Sequence, residues 1–136
     1  MENLYQQSKL ISKEEFARIE RVFQSAWGKD TVNPDALQEW SEENKALGQC
    51  AITALVVYDL YGGKMAYNRE NYHIWNELPD GTQQDFSRCQ FKDDRVFTIT
   101  KYKTKEEILH DENGQRTNII PRYELLKKRF EDALRI

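Results

Sequence analysis

Cys50, His73 and Asp85 are the side chains in this sequence that could do chemistry together. A thiol attacks as its thiolate, an imidazole can hold the proton given up, and a carboxylate can fix the ring's tautomer and steady its charge. Cys50 stands directly after Gly48-Gln49, where a long apolar run begins. A helix starting there sets the thiol in its first turn, where unpaired amides and the macrodipole favour negative charge. Those amides could also receive the charge that builds on a carbonyl oxygen, and Gly48 would let a substrate backbone come close. Gln49 and Asn44 offer side-chain amides as further oxyanion donors, and Trp75 is a candidate pocket wall. Each residue also has a plainer reading. Cys50 would be a small core hydrophobe, His73 a strand residue beside Trp75, and Asp85 a solvated residue beyond a turn.

Positioning these groups needs particular elements. Ser12-Lys13-Glu14-Glu15 has the form of a capping box, and Phe16, Ile19, Phe23 and Ala26 follow at helical spacing, with Trp27-Gly28 closing the helix. Asn33-Pro34 can start a short turn of helix. From Gln49 to Leu60 apolar residues fall on every side, which predicts a buried central helix ended by Gly62-Gly63. Lys64 to Tyr67 and Tyr72 to Leu78 read as strands, Pro79-Asp80-Gly81 as a turn, and Gln83 to Ser87 as the antiparallel return. If Leu78 pairs with Thr82, Asp85 falls opposite Trp75 and diagonally beside His73, within reach of a hydrogen bond. A slip of one residue would turn Asp85 to the other face. Arg95 to Tyr102 alternates as a further strand, Thr104 to Glu107 is a second capping box, Asp111 to Gly114 a turn, and the last helix starts near Pro121.

Composition narrows the class. A chain of 136 residues, 39% hydrophobic and 12% aromatic, can bury one core, so residues 1–136 are expected to form a single α+β domain. With 23 acidic and 20 basic residues the net charge of −3 offers no field for nucleic acid. No apolar run is long enough for a membrane span and no secretory signal opens the chain, so a cytoplasmic protein with two reduced thiols is expected. Glu2-Asn3-Leu4-Tyr5-Gln6 resembles part of a cleavable-tag site, with Gln6 where such a site has Phe, and carries no functional reading. No phosphate loop or dinucleotide fingerprint is present, and no cofactor is expected. Cys50, His73, Asp85 and Cys89 are possible zinc ligands, but their spacing fits structural zinc poorly and no metal is expected.

Gly48-Gln49-Cys50, then His73-Ile74-Trp75-Asn76-Glu77-Leu78, a glycine turn and Asp85 resemble the transglutaminase-like core. The wider stretch from Gly48 to Phe91, with Gly62-Gly63, Trp75-Asn76, Leu78-Pro79-Asp80-Gly81 and Gln90-Phe91, is similar to the bacterial YunG-like family. The likeness extends to Trp40 and to Arg122-Tyr123-Glu124-Leu125-Leu126. It implies a papain/transglutaminase-like fold, a central helix with an N-terminal cysteine packed on a small antiparallel sheet, and a Cys50-His73-Asp85 triad. Ala51 replaces the aromatic residue that transglutaminases carry after the cysteine, so protein crosslinking is not implied.

Two expectations follow. In one, the chain is a cysteine-dependent hydrolase or acyltransferase that cleaves an amide or acyl bond of a peptide, protein or small substrate through a thioester. In the other, it is a binding or regulatory domain that keeps the fold and the residues without turnover. Neither reading specifies an oligomeric state.

Overall fold

The computed structural model describes residues 11–135, so the tag-like opening segment lies outside the described residues. Helix α1 spans Lys13–Ala26, and Ser12 caps it by accepting a hydrogen bond from the Glu15 amide at 3.0 Å. Its buried face is Ile19, Phe23 and Ala26, and Trp27 closes it, its backbone N–H donating a hydrogen bond to the Phe23 carbonyl. A 3-10 turn at Pro34–Ala36 follows, capped by the Asn33 side chain.

Helix α2, Cys50–Tyr61, is the centre of the molecule. Six consecutive residues, Ile52 to Val57, are buried, as a helix that is apolar all round requires. It packs against strand β2 and against the last helix. Polar pins fix its position: Trp27 Nε1 donates to Thr53 Oγ1 at 2.9 Å, and Asn76 Nδ2 donates to the Ala54 carbonyl at 3.0 Å. Near its other end Asp59 accepts from Lys105 and Lys127, each at 2.9 Å, and from the Tyr123 hydroxyl.

Strands β1 (Lys64–Asn68), β2 (His73–Glu77), β3 (Gln83–Gln84) and β4 (Lys101–Lys103) form one antiparallel sheet in the order β3-β2-β1-β4. Gly63 makes the sharp passage from α2 into β1 with φ of 84°, pressed so closely on β2 that a Cβ would meet the Glu77 carbonyl oxygen at 2.2 Å. Across the hairpin Leu78 donates to the Thr82 carbonyl at 2.7 Å, and Glu77 and Asn76 face Gln83 and Gln84. This is the register in which Asp85 continues opposite Trp75.

Two strands are shorter than their alternation predicts. β3 stops at Gln84, because Asp85 turns toward His73 and residues Arg88–Gln90 coil into a 3-10 turn. The strand expected from Arg95 pairs only at Lys101–Lys103. Arg88 draws the preceding loop off the sheet by donating to the carbonyls of Asp93 at 3.0 Å and Arg95 at 2.8 Å.

The C-terminal part is helical. Helix α3 (Lys105–His110) opens on a complete capping box between Thr104 and Glu107. The turn expected at Asp111 to Gly114 is instead the start of helix α4 (Glu112–Arg116), with Asp111 as its cap. Helix α5 runs Ile119–Leu134, two residues earlier than its proline suggests, since proline needs no hydrogen bond anywhere in a first turn. It buries Ile119, Arg122, Tyr123, Leu126 and Phe130 against α1 and α2. Among the described residues no helix is long and apolar enough to cross a membrane.

Candidate functional site

The site grows from the start of α2. Gly48, with φ of 74°, turns the chain into the helix, and a Cβ there would meet Val32 Cγ2 at 2.7 Å and Ala36 Cβ at 2.9 Å. The side-chain position of this glycine is thus taken by Val32 and Ala36, while its backbone lines the cleft beside Cys50. Cys50 is the first helical residue and half-buried, at the edge of a cleft of about 540 Å³. Its own amide and those of Ala51 and Ile52 belong to the helical turn that lacks intrahelical acceptors.

His73 opens β2 and is fully buried. Tyr72, immediately before it, takes a left-handed φ of 51° and sits largely exposed, a conformation that is uncommon for a bulky residue. This bend brings the Tyr72 carbonyl to the thiol of Cys50, which donates to it at 3.7 Å. On the far side of the ring, His73 Nε2–H donates to Asp85 Oδ2 at 2.6 Å. Nδ1 is buried and makes no hydrogen bond, while the Cys50 sulphur lies near enough to act on the ring's charge. The structure thus brings together the three side chains from the start of a helix, the start of a strand and the residue just past β3, with the thiol turned toward Tyr72 instead of Nδ1.

The His73 ring lies in an aromatic enclosure. Trp75 stacks at 5.6 Å, Phe97 tilts over it at 4.7 Å, and Phe91 meets it edge-on at 4.9 Å. Arg88 holds that cover, with its guanidinium 5.6 Å from the Phe91 ring and 5.4 Å from the Phe97 ring. Burial is the largest influence on the imidazole and disfavours its charged form. The hydrogen bond with Asp85, together with the nearby Asp85 and Cys50 groups, outweighs it and raises the pKa from 6.5 to about 9.

A consequence for stability has a definite sign. Because the folded value lies above the unfolded one, the imidazolium's contribution is complete below pH 6.5 and is lost as pH rises through about 9. The expected result is a urea midpoint that falls from pH 6.5 to pH 9.5 and falls less in Asp85→Asn. Equal slopes in the two proteins would show that the Asp85 bond does not hold the proton.

The remaining candidates lie around this centre in different roles. Gln49 is fully buried and spends its amide on the Gly28 carbonyl at 3.1 Å, with its own Oε1 lacking a partner. Asn44 donates to the Gln90 carbonyl at 3.1 Å, which ties the loop before α2 to the one carrying Phe91. Both amides therefore brace the site. Trp75 donates to Gln83 Oε1 at 2.7 Å and walls the imidazole rather than the cleft. Cys89 lies apart, where burial pushes its thiol pKa up, and accepts from Gln24 at 3.7 Å. Among the described residues no group of three or more His, Cys, Asp or Glu could hold a metal ion.

Sequence reading missed Tyr72, Arg88, Phe91, Phe97 and Arg122 as parts of this region. Only Arg122 had a signal, since it precedes Leu126 and Phe130 by four and eight residues and so occupies a core position on the apolar stripe of α5.

These features define a mixed α+β domain in which a thiol, an imidazole and a carboxylate meet beside a cleft. The chain matches the model of the YunG protein family over residues 15–135 and belongs to that family. It is 30% identical over 76 residues to the Bacillus subtilis (strain 168) protein described as "Uncharacterized protein YunG". That alignment covers 54% of this chain and 61% of the relative, so the chain spans less than two thirds of the relative's length. No solved structure matches.

Proposed function

We propose that this domain is a cysteine-dependent hydrolase or acyltransferase with a papain/transglutaminase-like arrangement, in which Cys50 is the nucleophile, His73 its proton partner and Asp85 the residue that orients the ring. The observation that carries the reading is the buried His73–Asp85 pair beside the Cys50 sulphur. His73 Nε2 is committed to Asp85 at 2.6 Å, leaving a buried, unbonded Nδ1 on the ring that the Cys50 sulphur influences. An imidazole whose pKa is raised to about 9 by its neighbours suits the role of proton acceptor from the thiol. As the sulphur turns from Tyr72 toward the ring, its proton passes to Nδ1 of the neutral imidazole, which gives the thiolate–imidazolium pair that attacks.

In the proposed reaction Cys50 Sγ attacks the acyl carbon, and the amides at the start of α2 receive the negative charge on oxygen. The imidazolium of His73 then gives its proton to the leaving group as the carbon–nitrogen or carbon–oxygen bond breaks. Water or an amine, deprotonated by the neutral ring, attacks the thioester and restores the thiol. A test is incubation with p-nitrophenyl acetate. The expected result is a burst of one p-nitrophenolate per chain and an acetyl group on Cys50 by mass spectrometry, absent in Cys50→Ala. Release with no acetylated Cys50 and no change in Cys50→Ala would refute the reading.

A second reading, a binding or regulatory domain without turnover, is favoured by the complete burial of His73 and by the thiol's bond to Tyr72. It expects a thiol whose reactivity ignores His73.

A further inference from the structure

The cleft beside Cys50 contains a buried cation that forms no ion pair among the described residues. Arg122 is 8% exposed and lines the cleft, its guanidinium held by carbonyls and a hydroxyl. Nε donates to the Thr117 carbonyl at 2.9 Å, Nη1 to the Thr31 carbonyl at 3.2 Å, and Nη2 to Thr117 Oγ1 at 3.1 Å. Donor capacity remains on both terminal nitrogens. The other cations of the cleft are answered by carboxylates: Arg116 pairs with Asp35 at 2.9 Å, and Lys103 with Asp111 at 3.2 Å. Among the described residues Arg122 has no ion pair.

Holding a guanidinium in a buried place without a counter-charge is costly, and the cost is usually met by pairing. Burial lowers the pKa of Arg122 to about 10, partly offset by the charges of Cys50 and Asp35, so it remains charged at neutral pH. With Arg116 and Lys103 each paired to a carboxylate, Arg122 leaves the cleft with one positive charge in excess in a chain whose net charge is −3. A volume of about 540 Å³ suits a small molecule or a few residues of a peptide.

We infer that the cleft is a carboxylate-binding site centred on Arg122, and that the substrates of Cys50 are acyl compounds carrying a free carboxylate, such as an acidic peptide or a small dicarboxylate monoamide. The planar fork of arginine matches a carboxylate well, and a substrate anchored there would present its acyl group at the mouth of the cleft where Cys50 sits. The second half of the inference rests on Cys50 being the nucleophile, and the first half does not.

The test uses full-length protein carrying Cys89→Ser, with succinate as probe and succinamide as its neutral counterpart. The Nε–H resonance of Arg122 is followed by NMR, and the rate of Cys50 alkylation by iodoacetamide is measured in parallel. The expected result is a saturable shift of Arg122 by succinate, with slower alkylation, and binding of succinamide weaker by about tenfold or more, as loss of a charged hydrogen-bond partner implies. Arg122→Gln should lose the protection by a similar factor while melting cooperatively, and if it fails to fold the wild-type titrations still decide. Equal effects of succinate and succinamide, or none, overturn the site. Tighter binding of inorganic phosphate than of succinate overturns the carboxylate assignment. A shift at Arg122 in a protein whose Cys50 alkylation is independent of His73 would uphold the anion site and refute the thiol enzyme.

Discussion

Alkylation of Cys50 by iodoacetamide at pH 6 should slow by roughly tenfold to a hundredfold when His73 is replaced by alanine. The free thiol titrates near pH 8.5, so at pH 6 an unaided cysteine is almost wholly protonated and reacts slowly. A neighbouring imidazolium changes that by pairing with the thiolate, and His73 is built to stay protonated, with its pKa raised to about 9. Asp85→Asn should show the same direction with a smaller loss, because the ring stays in place but loses its 2.6 Å charged partner. Cys89→Ser in all variants isolates the rate. A rate that follows an ordinary thiol titration with and without His73 would exclude the proposed enzyme and leave a binding domain. Losing His73 also opens a cavity among Trp75, Phe91 and Phe97, so the variants are compared below their melting temperatures.

Gly63→Ala should be the most destabilising of the glycine substitutions, by about 3 kcal/mol or more. Two costs coincide there. The backbone has φ of 84°, which disfavours any side chain, and the new methyl would sit 2.2 Å from the Glu77 carbonyl oxygen and 3.0 Å from Leu78 Cα. Neither neighbour can yield, because Glu77 and Leu78 are hydrogen-bonded in the hairpin that carries His73 toward Asp85. Gly81→Ala separates the two costs. It has φ of 91° with nothing within 4 Å, so only the conformational penalty of about 1–2 kcal/mol applies. Urea unfolding checks both, and equal losses would show that the hairpin moves aside for the methyl. If Gly63→Ala folds, its displaced β2 should also reduce the His73-dependent alkylation rate.

Much of the frame was legible because its determinants are local. The apolar run after Gln49 can only be a buried helix, and Cys50 necessarily stands at its start. Pro79-Asp80-Gly81 specifies a tight turn, and with Leu78 paired to Thr82 the period of two places Asp85 on the His73 side. Thr104 and Glu107 made their capping box for the same reason, since each partner lies three residues from the other. Where local pattern met a competing long-range contact, it failed. The alternation from Arg95 to Tyr102 predicts a full strand, yet Arg88 and the aromatic contacts of Phe91 and Phe97 pull most of that segment over His73.

The sequence by itself therefore determined the helix and the hairpin, and with them the elements around which Cys50, His73 and Asp85 stand, while the Leu78–Thr82 register it assumed is the one the structure adopts. Only the tertiary structure decided that the thiol bonds to Tyr72, that three aromatic rings close over the imidazole, and that Gln49 turns inward to Gly28. It also decided that Arg122, from the far end of the chain, lines the cleft of Cys50 without an ion pair among the described residues. Capping, periodicity and turn geometry act over a few residues and can be read from spacing. The direction of a side chain in a cleft is set by the packing of segments distant in the chain, which no short pattern encodes.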